Sequence, residues 1–252
     1  MPNHFTDLGF DADSSERAWE LSLRAAREGT RYATKSGEYR VWSIGEGIAL
    51  WAGLDRNGQV LGCDPSFTGH GRMNFRLEGP FSQPPVHAPT EGALKGLANA
   101  TPSAPDGLCP VLIDLPGFEL HLPRLRPNQF LNLQVTAFAD TFTGGMKFYR
   151  DEATFTTSFR PGKPKYSPEF FVPSGLYTEP GRPPSARGLF AGRIQWHVVR
   201  TNPATRRPFH HLLVNTGAGT LDIVSDPAWV PEKPVVGGIV TGSFWLCGQI
   251  VS

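Results

Sequence analysis

Nowhere does the sequence run through eighteen consecutive apolar residues, which excludes a conventional membrane-spanning helix. The opening Met1-Pro2-Asn3-His4 has no basic stretch leading into an apolar one, so no secretory signal is expected and the expected location is the cytoplasm. Cysteine is scarce: Cys63, Cys109 and Cys247 are odd in number and far apart, which excludes a disulfide framework and a CxxC metal pair. Lysine is scarce too, 6 against 18 arginines, and the net charge is only +1. The charge is uneven, however. Residues 1–158 carry 14 basic and 18 acidic side chains, a net of −4, and residues 159–252 carry 10 and 5, a net of +5. Two surfaces with different partners are implied. Absent as well are a GxSxG elbow, an HExxH helix, a P-loop and a GxGxxG turn, so the common one-motif signatures of catalysis are missing.

What the chain has instead is glycine (28) and proline (24), more than a fifth of its 252 residues, without a triplet period. That favours many short strands joined by turns over a helical bundle. One helix is nevertheless expected over 13–29, where Ala18, Trp19, Leu21, Leu23, Ala25 and Ala26 form an apolar stripe behind the start signal Asp13-Ser14-Ser15-Glu16. A strand is expected before it, Phe5–Phe10, and a three-strand meander after it over 38–63, with Asn57-Gly58 as a hairpin turn. Further on, 91–99 reads as a short helix, and 72–79, 110–116, 118–122, 130–138 and parts of 142–157 read as strands.

Residues 161–187 hold most of a proline-rich run with one apolar patch, Phe170 to Tyr177, and are expected to form an ordered linker. Residues 188–252 are dense in strands with glycine at the bends, a pattern that suits a small closed β-barrel. The expected class is α+β: domain 1–160, linker 161–187 and barrel 188–252.

The run Asn3-His4-Phe5-Thr6-Asp7-Leu8-Gly9-Phe10 feeding a helix, with Gly47-Ile48-Ala49-Leu50-Trp51 ending the unit, resembles a half-module of the glyoxalase-like (vicinal oxygen chelate) family. Residues 72–157 are the place where a second module would stand. The resemblance implies a metal-binding histidine at His4 and a carboxylate near Ala49, and alanine there departs from the pattern. Gly192 to Val199 followed by a returning strand, with Val236 to Gly242 closing, resembles an OB-like barrel. The arrangement as a whole looks like that of bacterial two-domain proteins.

Two constellations carry chemistry. In the barrel, Arg193, Arg200, Arg206 and Arg207 accompany Trp196, Phe209 and His210, the mixture of cations and flat rings that single-stranded nucleic acid needs. Outside it, Glu119 and His121 would share a strand face and, with His4, are the metal candidates, although two ligands without a third make no site. No metal or other cofactor is expected. The expected function is a non-enzymatic binding protein whose barrel recognises a polyanion such as single-stranded nucleic acid, or a protein partner, with no membrane contact. The alternatives are a glyoxalase-like metalloenzyme acting on a small oxygenated substrate and a structural or assembly protein.

Overall fold

The computed structural model describes residues 3–81, 91–140, 145–159, 165–177, 183–230 and 233–251. It is mostly β, with two sheets and little helix. No helix among the described residues is long and apolar enough to cross a membrane.

The expected helix is present as α1 (Ser15–Glu28), the longest among the described residues. Ser14 caps it, accepting from the Arg17 N–H at 3.2 Å, while Asp13 and Asp11 hold the Arg17 guanidinium. The strand expected over 5–10 is instead a 3-10 turn, Thr6–Leu8, ended by Gly9 at φ 75°. A Cβ on Gly9 would lie 2.9 Å from the Arg207 carbonyl oxygen, so close packing as well as dihedral angle calls for glycine there. The opening unit therefore departs from strand–helix–three strands. Helix α1 leads into four antiparallel strands paired in chain order, β1 (Thr30–Ala33), β2 (Gly37–Gly45), β3 (Ile48–Asp55) and β4 (Val60–Phe67). The Asn57-Gly58 turn joins β3 to β4, with Gly58 at φ 80°.

The second sheet takes the rest: β5 (Met73–Phe81), β6 (Ala93–Ala98), β7 (Cys109–Asp114), β8 (Phe130–Ala139), β9 (Lys147–Tyr149), β10 (Phe171–Val172), β11 (Arg187–Thr201), β12 (Pro208–Thr216), β13 (Gly219–Ser225) and β14 (Ile239–Val251). Three expectations are corrected here. Residues 91–99 were short and apolar enough for either state, and pairing with β5 and β7 on both sides makes them β6. Phe118–His121 is a one-turn helix, α2, rather than a strand. Glu152–Thr157 is a helix as well, α3, because Asp151 accepts from the Thr154 N–H at 2.8 Å and starts it.

Pairing in this sheet closes on itself twice. One circuit runs β11–β12–β13–β8–β14 and back to β11. The other runs β8–β5–β6–β7–β14 and back to β8, its β7–β14 link being the single parallel pair Cys247↔Asp114. Both share the β8–β14 ladder, and one continuous apolar core fills them, with Phe190 stacked on Phe244 at 4.2 Å. Alternation along β8 sends Leu133, Val135 and Ala137 into that core and Phe138 to the opposite side. There Phe138, Phe209, Val224 and Cys247 meet Leu50, Phe67 and Ala25 in a second core that fastens α1 and the first sheet to the outside of the strands.

The sheet thus runs straight across the expected division at 160–188. Asp222, Ile223 and Val224 pair in parallel with Thr136, Ala137 and Phe138, so a strand from 1–160 sits among those of 188–252. Within the expected linker, β10 pairs with β11, and residues 178–182, like 160–164 just at its start, lie outside the described residues. A fragment of residues 186–252 lacks β8 and leaves one edge of β13 and one edge of β14 unpaired. It is expected to show no cooperative thermal transition by circular dichroism, whereas the full chain shows one. A dispersed amide spectrum of the fragment would contradict this.

Candidate functional site

Three carboxyl groups meet where the two sheets adjoin. Asp64 comes from the middle of β4, Glu91 from the segment before β6, and Asp114 from the last position of β7. They line a cleft of about 260 Å³, together with Trp245 of β14 and the apolar Ala93, Leu112 and Leu115. A wider, open hollow continues from it past His4, Cys63 and Asp13. The Trp245 indole N–H donates to Asp114 Oδ2, which fixes that carboxylate on the wall. His4 lies flat on the Trp245 ring, with centroids 4.6 Å apart and planes 12° from parallel. Behind them the nearly buried Asp140 binds Arg187 at 2.9 Å.

The charges are set by this packing. Burial above all, then the Arg187 charge, against the opposing pull of Asp140, holds the His4 imidazole down at about 4, so it is neutral at physiological pH. Asp64 moves the other way. Burial, then the neighbouring Glu91 and Asp114 charges, push its carboxyl up to about 8. Its side chain has no hydrogen-bond or ion-pair partner among the described residues, and the residue is half-buried. The same burial and acidic surroundings push the Cys63 and Cys247 thiols up, which removes them as nucleophiles.

None of the three carboxyls could be assembled from sequence, because they come from three separate segments. A faint signal exists in Asp64 and Asp114, each a charge within or directly after an apolar strand run, Val60–Phe67 and Val111–Ile113. Among the described residues no three His, Cys, Asp or Glu side chains are grouped so as to hold a metal ion. His4 lines the hollow that adjoins the cleft. Glu119 does not: its Oε1 accepts from the N–H and hydroxyl of Ser36, both at 3.0 Å. On the helix α2, Glu119 and His121 project about 200° apart, so the shared strand face expected for them does not exist.

The arginine constellation is spread over both sides of the β11–β12 ladder. Arg193 bridges Glu152 at 2.9 Å and Glu169 at 3.3 Å. Arg200 donates from Nε to His211 Nδ1 and from Nη1 to Glu46, both at 2.9 Å. Arg207 pairs with Asp11 at 3.1 Å, and Arg206 stands exposed in the turn at φ 62°. Phe209 is fully buried, edge-on to Phe67, and offers no surface to a base. Trp196 is half-buried against His211 and His70. Arg200 stands opposite Phe209 and His210 opposite Val199, so Arg200 and His210 point to opposite faces, His210 meeting His197 at 2.7 Å.

One buried dyad has the look of catalysis without the geometry. His211 Nε2 lies 2.8 Å from Asp222 Oδ1, and neither side chain is exposed. Because Arg200 can only donate to Nδ1, the proton sits on Nε2 and is given to Asp222. The nitrogen that would accept from a nucleophile is already occupied. Burial pushes the Asp222 carboxyl up, but His211, the N–H groups of His70 and Gly71, and Gln134 together hold it below the usual carboxylate range. The dyad is a structural clamp between β12, β13, β8 and the turn before β5.

No family model, curated protein or solved structure matches the chain. Its function is therefore read from its own residues, and Asp64 is the residue that stands apart. Folded, it keeps a proton that the unfolded chain releases above the ordinary carboxyl range, so the unfolded state binds fewer protons and stability falls as pH rises toward about 8. Asp64→Asn removes that loss. Thermal midpoints measured from about pH 5 to about pH 9 are expected to favour the variant increasingly with pH. A constant difference across the range would show that Asp64 titrates as an ordinary carboxyl.

Proposed function

We propose that the protein is a non-enzymatic binding protein whose cleft takes a small organic cation, an aliphatic amine or diamine. The observation that carries this reading is the unpartnered Asp64 carboxyl, held protonated by burial and by Glu91 and Asp114. Glu91 and Asp114 stand beside Asp64 on the cleft, and the one nearby imidazole, His4, is neutral at physiological pH. An ammonium group would pair with the Asp64 carboxylate, and Ala93, Leu112 and Leu115 would receive the methylenes. A single metal ion fits less well, since no three ligands among the described residues come close enough together.

Arg193, Arg200 and Arg207 already have carboxylate partners, so the acidic cleft is favoured here over a polyanion on the barrel. The five-strand circuit supports an OB-like barrel in that half, with β8 supplying a strand from outside 188–252. The glyoxalase-like alternative has less support, because the first strand of its module is a 3-10 turn.

Binding of a cation should strip Asp64 of its proton. Calorimetric titration with 1,5-diaminopentane at pH 7, in buffers of different ionisation enthalpy, is expected to show uptake of diamine with release of up to one proton. Asp64→Asn should abolish the release, and Asp114→Asn should weaken binding about 10- to 100-fold, the loss of one charged hydrogen bond. Absence of binding by diamines and by simple alkylamines alike would sink the proposal.

A further inference from the structure

The long strand β11 has two partners only over its first half. Its pairing with β14 ends at Arg193↔Ile239, and a bulge between Ile194 and Trp196 then turns it away. From Gln195 to Thr201 it is bonded to β12 on one side, and no strand lies along its other edge among the described residues. Neither lysine nor proline interrupts Gln195-Trp196-His197-Val198-Val199-Arg200-Thr201, and past the bulge its one fixed charge is Arg200. Adjacent Val198 and Val199 are 39% and 53% exposed, which leaves an apolar side chain on each face of the edge.

We infer that this edge pairs with the same edge of a second copy of the chain, β11 against β11 in antiparallel register about a two-fold axis at Val198. The occupant follows from the strand's own complementarity. Val198 is the midpoint of 195–201, so this register is the one that uses the whole free edge. It sets Val198 against Val198, Val199 against His197, Gln195 against Thr201, and the only fixed cation, Arg200, against Trp196. No like charges face each other, and each Arg200 keeps its own Glu46 as counter-charge. A two-fold contact between identical patches also closes on itself, which limits assembly to a dimer. The edge lies apart from the acidic cleft, and this inference does not depend on the proposed ligand.

Sedimentation equilibrium of the full chain is expected to give a dimer mass. Val198→Lys places two ammonium groups together on the axis and should yield a folded monomer whose thermal midpoint, unlike that of the wild type, does not rise with protein concentration. In an antiparallel pair, Cα atoms directly opposite lie about 4.5–5.5 Å apart, within disulfide range. Val198→Cys should therefore oxidise to a covalent dimer, whereas wild type and Tyr177→Cys, 74% exposed and outside the edge, should not. A wild-type chain that stays monomeric at high concentration overturns the inference. So does a dimer that survives Val198→Lys, or one whose Val198→Cys form resists oxidation. If a monomer instead binds an extended peptide that Val198→Lys repels, the edge serves a different partner and the dimer is excluded.

Discussion

The β8–β14 ladder is the pairing on which the rest of the molecule depends. Six residue pairs, from Leu246↔Ala137 to Val251↔Asn132, belong to two closed circuits at once. A sheet closed in this way leaves few edges to protect and encloses a core that neither half could form alone. Alternation then decides what each side of the ladder does. Leu133, Val135, Leu246 and their neighbours fill the circuits, while Phe138 and Cys247 face outward and seat the first sheet with α1.

The acidic cleft is a by-product of that seating. Packing one sheet against the outside of another leaves a seam, and Asp64, Asp114 and Trp245 line it because they occupy outward positions on β4, β7 and β14. The Trp245–Asp114 hydrogen bond and the His4–Trp245 stack tie the N-terminal segment and the second sheet together around the same carboxyls. Asp64 stands beside Glu91 and Asp114 in this seam, and the packing there favours its protonated form.

Local features of the chain were legible in sequence to the extent that local forces set them. The apolar period of α1 and the Asn57-Gly58 turn act over a few residues and reappear in the structure. Short segments were not legible. A one-turn helix such as Phe118–His121 is too brief to show a period, and Ala93–Ala98 became a strand through its neighbours on both sides. The strand-rich pattern of 188–252 was visible, but the need for β8 to complete its circuit was not, because parallel pairing of β13 with β8 joins residues with no common local signal. The aromatics and arginines of β11 and β12 were read as one mixture, and the pairing places Arg200 and His210 on opposite faces and buries Phe209.

The shared ladder also dictates an order of events during synthesis. Its paired residues are more than a hundred positions apart, and the later partner, β14, is the last strand among the described residues. Until residues 239–251 leave the ribosome, neither circuit can close, and β8 waits with one edge open to solvent. Pairing at such separation is slow, and an open strand edge in the meantime invites association with other chains. A ribosome pausing shortly before β14 would thus prolong the interval in which this protein most needs a chaperone.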